Sequence, residues 1–177
     1  MANKKSLWKC LFPFIALLSM IVGSQITNIF SFLSKQNNII DCQLLVIVFL
    51  TAYFYFGYST YLLVVATVIG AIFDLYFYEL LGIYTICLPV MLVIFNFLIK
   101  YIKPSITGYF ILFMLSHIWI MYSTYFIQVL FHISKLDMIP YVVLYVAPSL
   151  VLNAMLDLGF LFYGEQYYFN VTKRLQP

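Results

Sequence analysis

Residues 42–73 read CQLLVIVFLTAYFYFGYSTYLLVVATVIGAIF, 32 positions without one Asp, Glu, Lys or Arg. As a single helix this stretch would measure about 48 Å, against a hydrocarbon slab of ~30 Å. Its centre offers a way to shorten it. Gly57-Tyr58-Ser59-Thr60 combines a flexible glycine, small hydroxyls and a tyrosine suited to an interface. The stretch is therefore expected to fold back as two short helices, near 42-56 and 60-76, joined by a tight turn. Leu44 to Leu50 is apolar on every side, whereas a barrel strand alternates between lipid and a polar lumen. The fold class that follows is all-α, a polytopic integral membrane helical bundle.

Working outward, four more charge-free stretches cover 10–34, 80–99, 104–134 and 138–156, each 19 residues or longer. A span needs about 20 apolar residues. The reading is one transmembrane domain over 1-177 with six helices, near 10-33, 42-56, 60-76, 81-100, 106-131 and 138-163. Composition agrees, since 65% of the 177 residues are hydrophobic and 8% charged, against roughly 25% charged in a soluble domain. The chain cannot clothe a water-facing surface, and the lipid bilayer is its solvent.

Basic residues decide the direction of the helices. With six spans and the N-terminus inside, Lys4, Lys5, Lys9, Lys100, Lys103, Lys173 and Arg174 fall inside, and only Lys35 and Lys135 outside. Leaving 42–73 unsplit would put four inside and five outside. Both termini are thus expected in the cytoplasm, N-in/C-in. Tyr55, Tyr58, Tyr61, Tyr101, Tyr109, Tyr163, Tyr167 and Tyr168 would form an inner aromatic belt, and Tyr76, Tyr78, Tyr84 and Tyr141 an outer one. The basic start and apolar run look superficially like a signal peptide, but the run continues through Phe30 and Phe32 and reads as an uncleaved first helix. The sequon Asn170-Val171-Thr172 falls in the inner tail and is discounted.

Few residues could carry chemistry. Cys10, Cys42 and Cys87 lack metal-ligand spacing and read as unbridged packing residues. His117 sits mid-helix, and an ionisable group in a membrane is a functional candidate by default. A neutral histidine bonded to a neighbouring helix is the plainer reading. His132 is too far along the same helix, about 22 Å, to share a site with it. In the last helix Ser149, Asn153 and Asp157 recur at i, i+4 and i+8, after Pro148, which can bend the helix. This polar stripe must face protein or water. An interhelical hydrogen-bond seam is preferred to a solute path, because no facing ionisable partner at similar depth is evident. In the third helix Thr67, Gly70 and Asp74 share a face, and Pro89 is expected to kink the fourth helix. No catalytic triad, paired carboxylates, HExxH or phosphate-cradling loop occurs, so neither an enzyme nor a cofactor is expected. The basic residues sit in small membrane-flanking groups and give no footprint for nucleic acid.

Gly70-Ala71-Ile72-Phe73-Asp74-Leu75, followed by Leu81-Gly82-Ile83-Tyr84, resembles the MreD family of bacterial rod shape-determining membrane proteins. That family shows a glycine, three apolar residues, Asp-Leu, a short loop, and Leu-Gly opening the next helix. Pro148 and Asn153 are similar to its late proline and asparagine. The chain departs from the common pattern at Tyr76-Phe77-Tyr78-Glu79, where small residues are usual. The resemblance implies a non-enzymatic subunit of the cell-elongation complex in the bacterial cell membrane. It would associate directly with MreC, with MreB, RodA and a class B penicillin-binding protein in the same complex. Gly70, Asp74, Leu81, Gly82, Pro148 and Asn153 are then the motif or partner-contact residues, with Asp74 fixing the end of the third helix to the next helix or to a partner. His117, Ser149 and Asp157 remain polar intramembrane residues without an assigned role. The alternative from a different class is the S component of an energy-coupling-factor vitamin transporter, which is similar in size and span number. Its usual Ala-xxx-Ala docking pair is absent here, where Ala16 is followed by Met20. An intramembrane enzyme would hang on His117 and Asp157 alone.

Overall fold

The shortest helix of the bundle is also its centre. In the computed structural model α2, Leu44–Phe56, is 13 residues long and about 20 Å from end to end. It touches α1, α3, α4, α5 and α7, and Ile47, Phe49 and Leu50 have no exposed surface. Wrapped in this way, it does not need to match the thickness of the hydrocarbon. Around it run α1 (Ala2–Leu33), α3 (Thr60–Phe77), α4 (Tyr84–Leu98) and α5 (Ile106–Leu130). The last helix is built from α6 (Met138–Tyr141), a π-helical turn (Val142–Val146) and α7 (Ala147–Thr172). The backbone is described for residues 2–33, 40–79, 81–102, 105–132 and 137–172, and side chains for 7–32, 40–79, 81–102, 105–132 and 137–163. The side chains of Lys4, Lys5, Lys35, Lys103, Lys135, Lys173 and Arg174, of Tyr167 and Tyr168, and of the sequon at Asn170 lie outside those residues.

Taking the π turn as part of one helix, six helices make an all-helical membrane bundle. Four of these are long and apolar enough to cross a membrane: α1, α3, α5 and the α6–α7 helix. α2 and α4 are shorter apolar helices. The turn inside the long apolar stretch falls at Gly57, whose φ of 73° suits a residue without Cβ. Ser59 then caps α3 by accepting from the Leu62 N–H, as Ser105 caps α5 through the Gly108 N–H at 3.1 Å. α1 begins at Ala2 rather than near residue 10, because lysines end the apolar run without ending the helix. α4 runs unbroken through Pro89. Just before Pro148 the helix widens into a π turn, in which the Ala147 N–H reaches back to the Val142 carbonyl, five residues away. This widened turn accommodates a proline that cannot donate and whose ring would crowd the preceding turn.

Trp8 and Phe12 of α1 share a groove with Phe160 of α7 and Phe56 at the end of α2. The first and last helices therefore start and finish at the same end of the bundle, together with the 57–59 turn. Here aromatic packing dominates. The Phe54 ring meets those of Tyr53, Phe95, Tyr109 and Phe113, and each such pair contributes about 0.5–1.5 kcal/mol beyond area burial. Since lipid tails are as apolar as these side chains, the close fit is what holds the helices together. The other end carries the connections after α1, α3 and α5, and the polar groups converge there.

Candidate functional site

Two sets of buried polar side chains stand out, and both begin from an aspartate in a helix. The first lies where α3 crosses α4. Gly70 is packed so tightly that a Cβ placed on it would come 2.6 Å from the Tyr84 carbonyl oxygen and 2.9 Å from the Thr85 Cα. Only glycine allows that approach. One turn on, Asp74 is completely buried, with its carboxylate aimed at the start of α4. Oδ1 accepts from the Tyr84 N–H at 2.7 Å. Oδ2 accepts from the N–H groups of Gly82 and Thr85, both at 3.0 Å, and from the Thr85 hydroxyl at 2.8 Å. The first turn of a helix exposes N–H groups without partners and the positive end of the helix dipole. Ile83, at the capping position, offers no side-chain acceptor, so Asp74 caps α4 from the neighbouring helix. Gly82 turns the chain with φ 123°, a conformation closed to other residues, while Leu81 is exposed.

The second set surrounds the chain entering α2. Residues 40–43 are not helical, yet they lie against Ser149, which is about 16 Å along the last helix from Met138 at 1.5 Å per residue. Irregular backbone at such depth is tolerated only when its polar groups are paired within the protein. The polar stripe of α7 supplies the partners. The Asp41 N–H donates to the Ser149 hydroxyl at 2.8 Å, and the Gln43 N–H to the Asn153 Oδ1 at 2.9 Å. The Asn153 Nδ2 donates back to the Asp41 carbonyl at 3.0 Å. From α1, the Thr27 hydroxyl accepts the Cys42 N–H at 2.9 Å. Ser149 and Asn153 therefore serve as surrogate backbone for a buried loop.

Asp157 lies one turn deeper and faces His117 of α5, with Nε2 to Oδ1 at 3.2 Å and neither residue exposed. The other ring nitrogen of His117 stands 2.8 Å from the Gln43 Oε1. With an amide oxygen facing it, Nδ1 carries a proton. A proton between Nε2 and Oδ1 makes this contact a hydrogen bond, which a buried carboxyl requires, since an unpaired charge in a low dielectric is prohibitively costly. The Asp157 Oδ2 has no hydrogen-bond partner among the described residues.

His117 and Asp157 thus correct the expectation that the stripe has no facing ionisable partner. Sequence reasoning missed their counterparts as well. Asp41 and Gln43 complete the set, with partners in α5 and α7 that lie between 74 and 112 residues away in the chain, and Thr27 joins it through Cys42, 15 residues on. The one local signal was a glutamine at the mouth of an otherwise apolar helix. His132 sits exposed at the end of α5 with φ 57°, outside the set. Cys42 and Cys87 are buried free thiols, and Cys10 is an exposed one.

Comparison with known proteins adds one finding. Neither curated protein sequences nor solved structures gave a match. The pattern of one known family, rod shape-determining protein MreD, matches residues 4–171, nearly the whole chain. The Gly70 crossing, the Asp74 cap and the buried stripe are therefore features of a multi-pass membrane protein that belongs to the MreD family of rod shape-determining proteins.

Proposed function

We infer that this chain is a non-enzymatic subunit of the bacterial cell-elongation complex, held in the cell membrane with both termini in the cytoplasm. It packs against MreC and through it couples MreB filaments to the peptidoglycan synthases RodA and a class B penicillin-binding protein. The observation that carries this reading is the family match over residues 4–171. Two features support it. The described connections between helices are short, leaving little outside the membrane to hold a soluble active site. The rigid α3–α4 hairpin shows an apolar ridge of Val64, Val68, Ile72 and Leu75 to its surroundings, a surface that a single-span helix can follow. Asp74, occupied by four donors, serves as a brace for that hairpin rather than as a proton carrier.

Depletion of the protein in its rod-shaped host, with affinity capture of MreC, tests the proposal. Rounded cells and MreC retained on the tagged chain are expected. Cells that stay rod-shaped after depletion overturn the shape role. The brace assignment for Asp74 fails separately if Asp74→Asn leaves MreC capture and cell shape unchanged.

A further inference from the structure

Between the loop ends of the helices lie two adjoining cavities of about 270 and 220 Å³. They share a wall made of Thr27, Asp41, Phe73, Tyr78 and Tyr84. The larger one extends along α1 to Ser24 and Asn28. The smaller extends under the π turn to Tyr141 and Tyr145. Among the described residues neither is lined by Lys, Arg or His, and Asp41 is the one acidic side chain in the lining.

Its setting is built rather than incidental. Asp41 is held by its backbone through Ser149 and Asn153, which fixes where its carboxylate can reach. Gln43, two residues on in the same buried loop, is anchored on His117. The aromatic walls are also locked. Phe73 lies 4.1 Å from Tyr84 between ring centroids, and Tyr78 stacks on Tyr84 at 6.3 Å. At the smaller cavity Tyr141 is stacked between Tyr125, at 4.2 Å, and Tyr145, at 5.5 Å, and donates its hydroxyl to the Met121 carbonyl.

The geometry points to a binding site for an organic ammonium cation, with Asp41 as its acidic partner and Tyr78 and Tyr145, the outer rings of two aromatic stacks, beside it. Aromatic rings around a carboxylate select ammonium groups by cation–π attraction combined with charge pairing. Tyrosine hydroxyls add acceptors for a primary ammonium. Either cavity, at about 270 and 220 Å³, has room for a small cationic headgroup. The same chemistry is carried by a free small amine and by the headgroup of an ethanolamine phospholipid.

The test measures both sources on the full chain. Ethanolamine and tetramethylammonium are titrated into the protein in detergent micelles by calorimetry. In parallel, lipid retention is read by native mass spectrometry after exchange into mixed phosphatidylethanolamine and phosphatidylglycerol. Saturable binding of either free cation, weakened about tenfold or more by Asp41→Asn, supports the site with a free amine as ligand. Selective retention of phosphatidylethanolamine that Asp41→Asn abolishes supports it with a lipid headgroup as ligand. Asp41→Asn keeps the backbone bonds of residue 41, and Tyr145→Leu serves as the second variant should the first not fold. Tyr101→Leu, an exposed residue at the other end of the bundle, should bind like the wild type. No saturable cation binding together with no lipid preference, or binding equal in wild type and in the variants at Asp41 or Tyr145, overturns the proposal.

Discussion

Asp74 and Asp157 are both completely buried aspartates in membrane helices, and the protein treats them in opposite ways. Asp74 gathers four donors, three of them N–H groups from the start of α4. Asp157 has one partner, His117, and an oxygen with none among the described residues. The first arrangement is that of a helix cap, in which a carboxylate completes the backbone of its neighbour and ties two helices together. The second is a two-residue unit with acceptor capacity to spare. A buried acid in a membrane protein can therefore be either a brace or a member of a proton-sharing pair, and its donor count distinguishes the two.

The largest expected effect bears on the brace. Asp74→Asn puts an NH₂ group among donors and leaves at least one N–H of α4 unpaired, so unfolding in SDS-doped micelles should show a loss of about 3–5 kcal/mol. A loss below about 1 kcal/mol would remove the contrast. The pair is tested next by a double-mutant cycle. His117→Phe strands the Asp157 carboxyl and the Gln43 amide and should cost about 2–3 kcal/mol. Adding Asp157→Leu should restore part of that stability, because two apolar side chains leave fewer polar groups stranded than one. Additive costs would show that the two residues do not act together. The smallest effect is expected for Asp157→Asn, within about 1 kcal/mol of wild type, since the amide oxygen can keep the contact with His117 and the oxygen that the NH₂ replaces has no partner to lose. A cost equal to that of Asp74→Asn would mean that Asp157 is braced as well.

Much of the architecture could be read from the charges, because hydrocarbon excludes them so strongly that their gaps mark the helices. Gly57 and Ser59 betrayed the fold-back inside 42–73 by the same local logic, since a glycine with φ 73° and a hydroxyl cap are both written at the turn itself. The Gly70–Asp74 spacing was likewise legible as one helix face, but its purpose was not. The groups it serves, at Gly82, Tyr84 and Thr85, are backbone N–H groups that carry no sequence signature. The second set was half visible for a related reason. Helical spacing aligned Ser149, Asn153 and Asp157 on one side of α7, yet nothing in periodicity indicates that a loop more than 100 residues earlier descends to meet them. Asp41 and Gln43 looked like the edge of a helix because the sequence pattern there changes only once, from polar to apolar.

The buried loop has a consequence for how the protein is made. α2, with 13 residues, is too short to settle across a bilayer by itself. The N–H groups of Asp41 and Gln43 at its entry are satisfied by side chains synthesised more than 100 residues later. Until the last helix is present, the native partners of these two N–H groups are missing, and the join can be completed only with Ser149 and Asn153 in place. Assembly of this small protein is in that sense locked from the C-terminal side, and a chain halted before residue 149 carries every apolar residue of α2 but lacks the means to seat it.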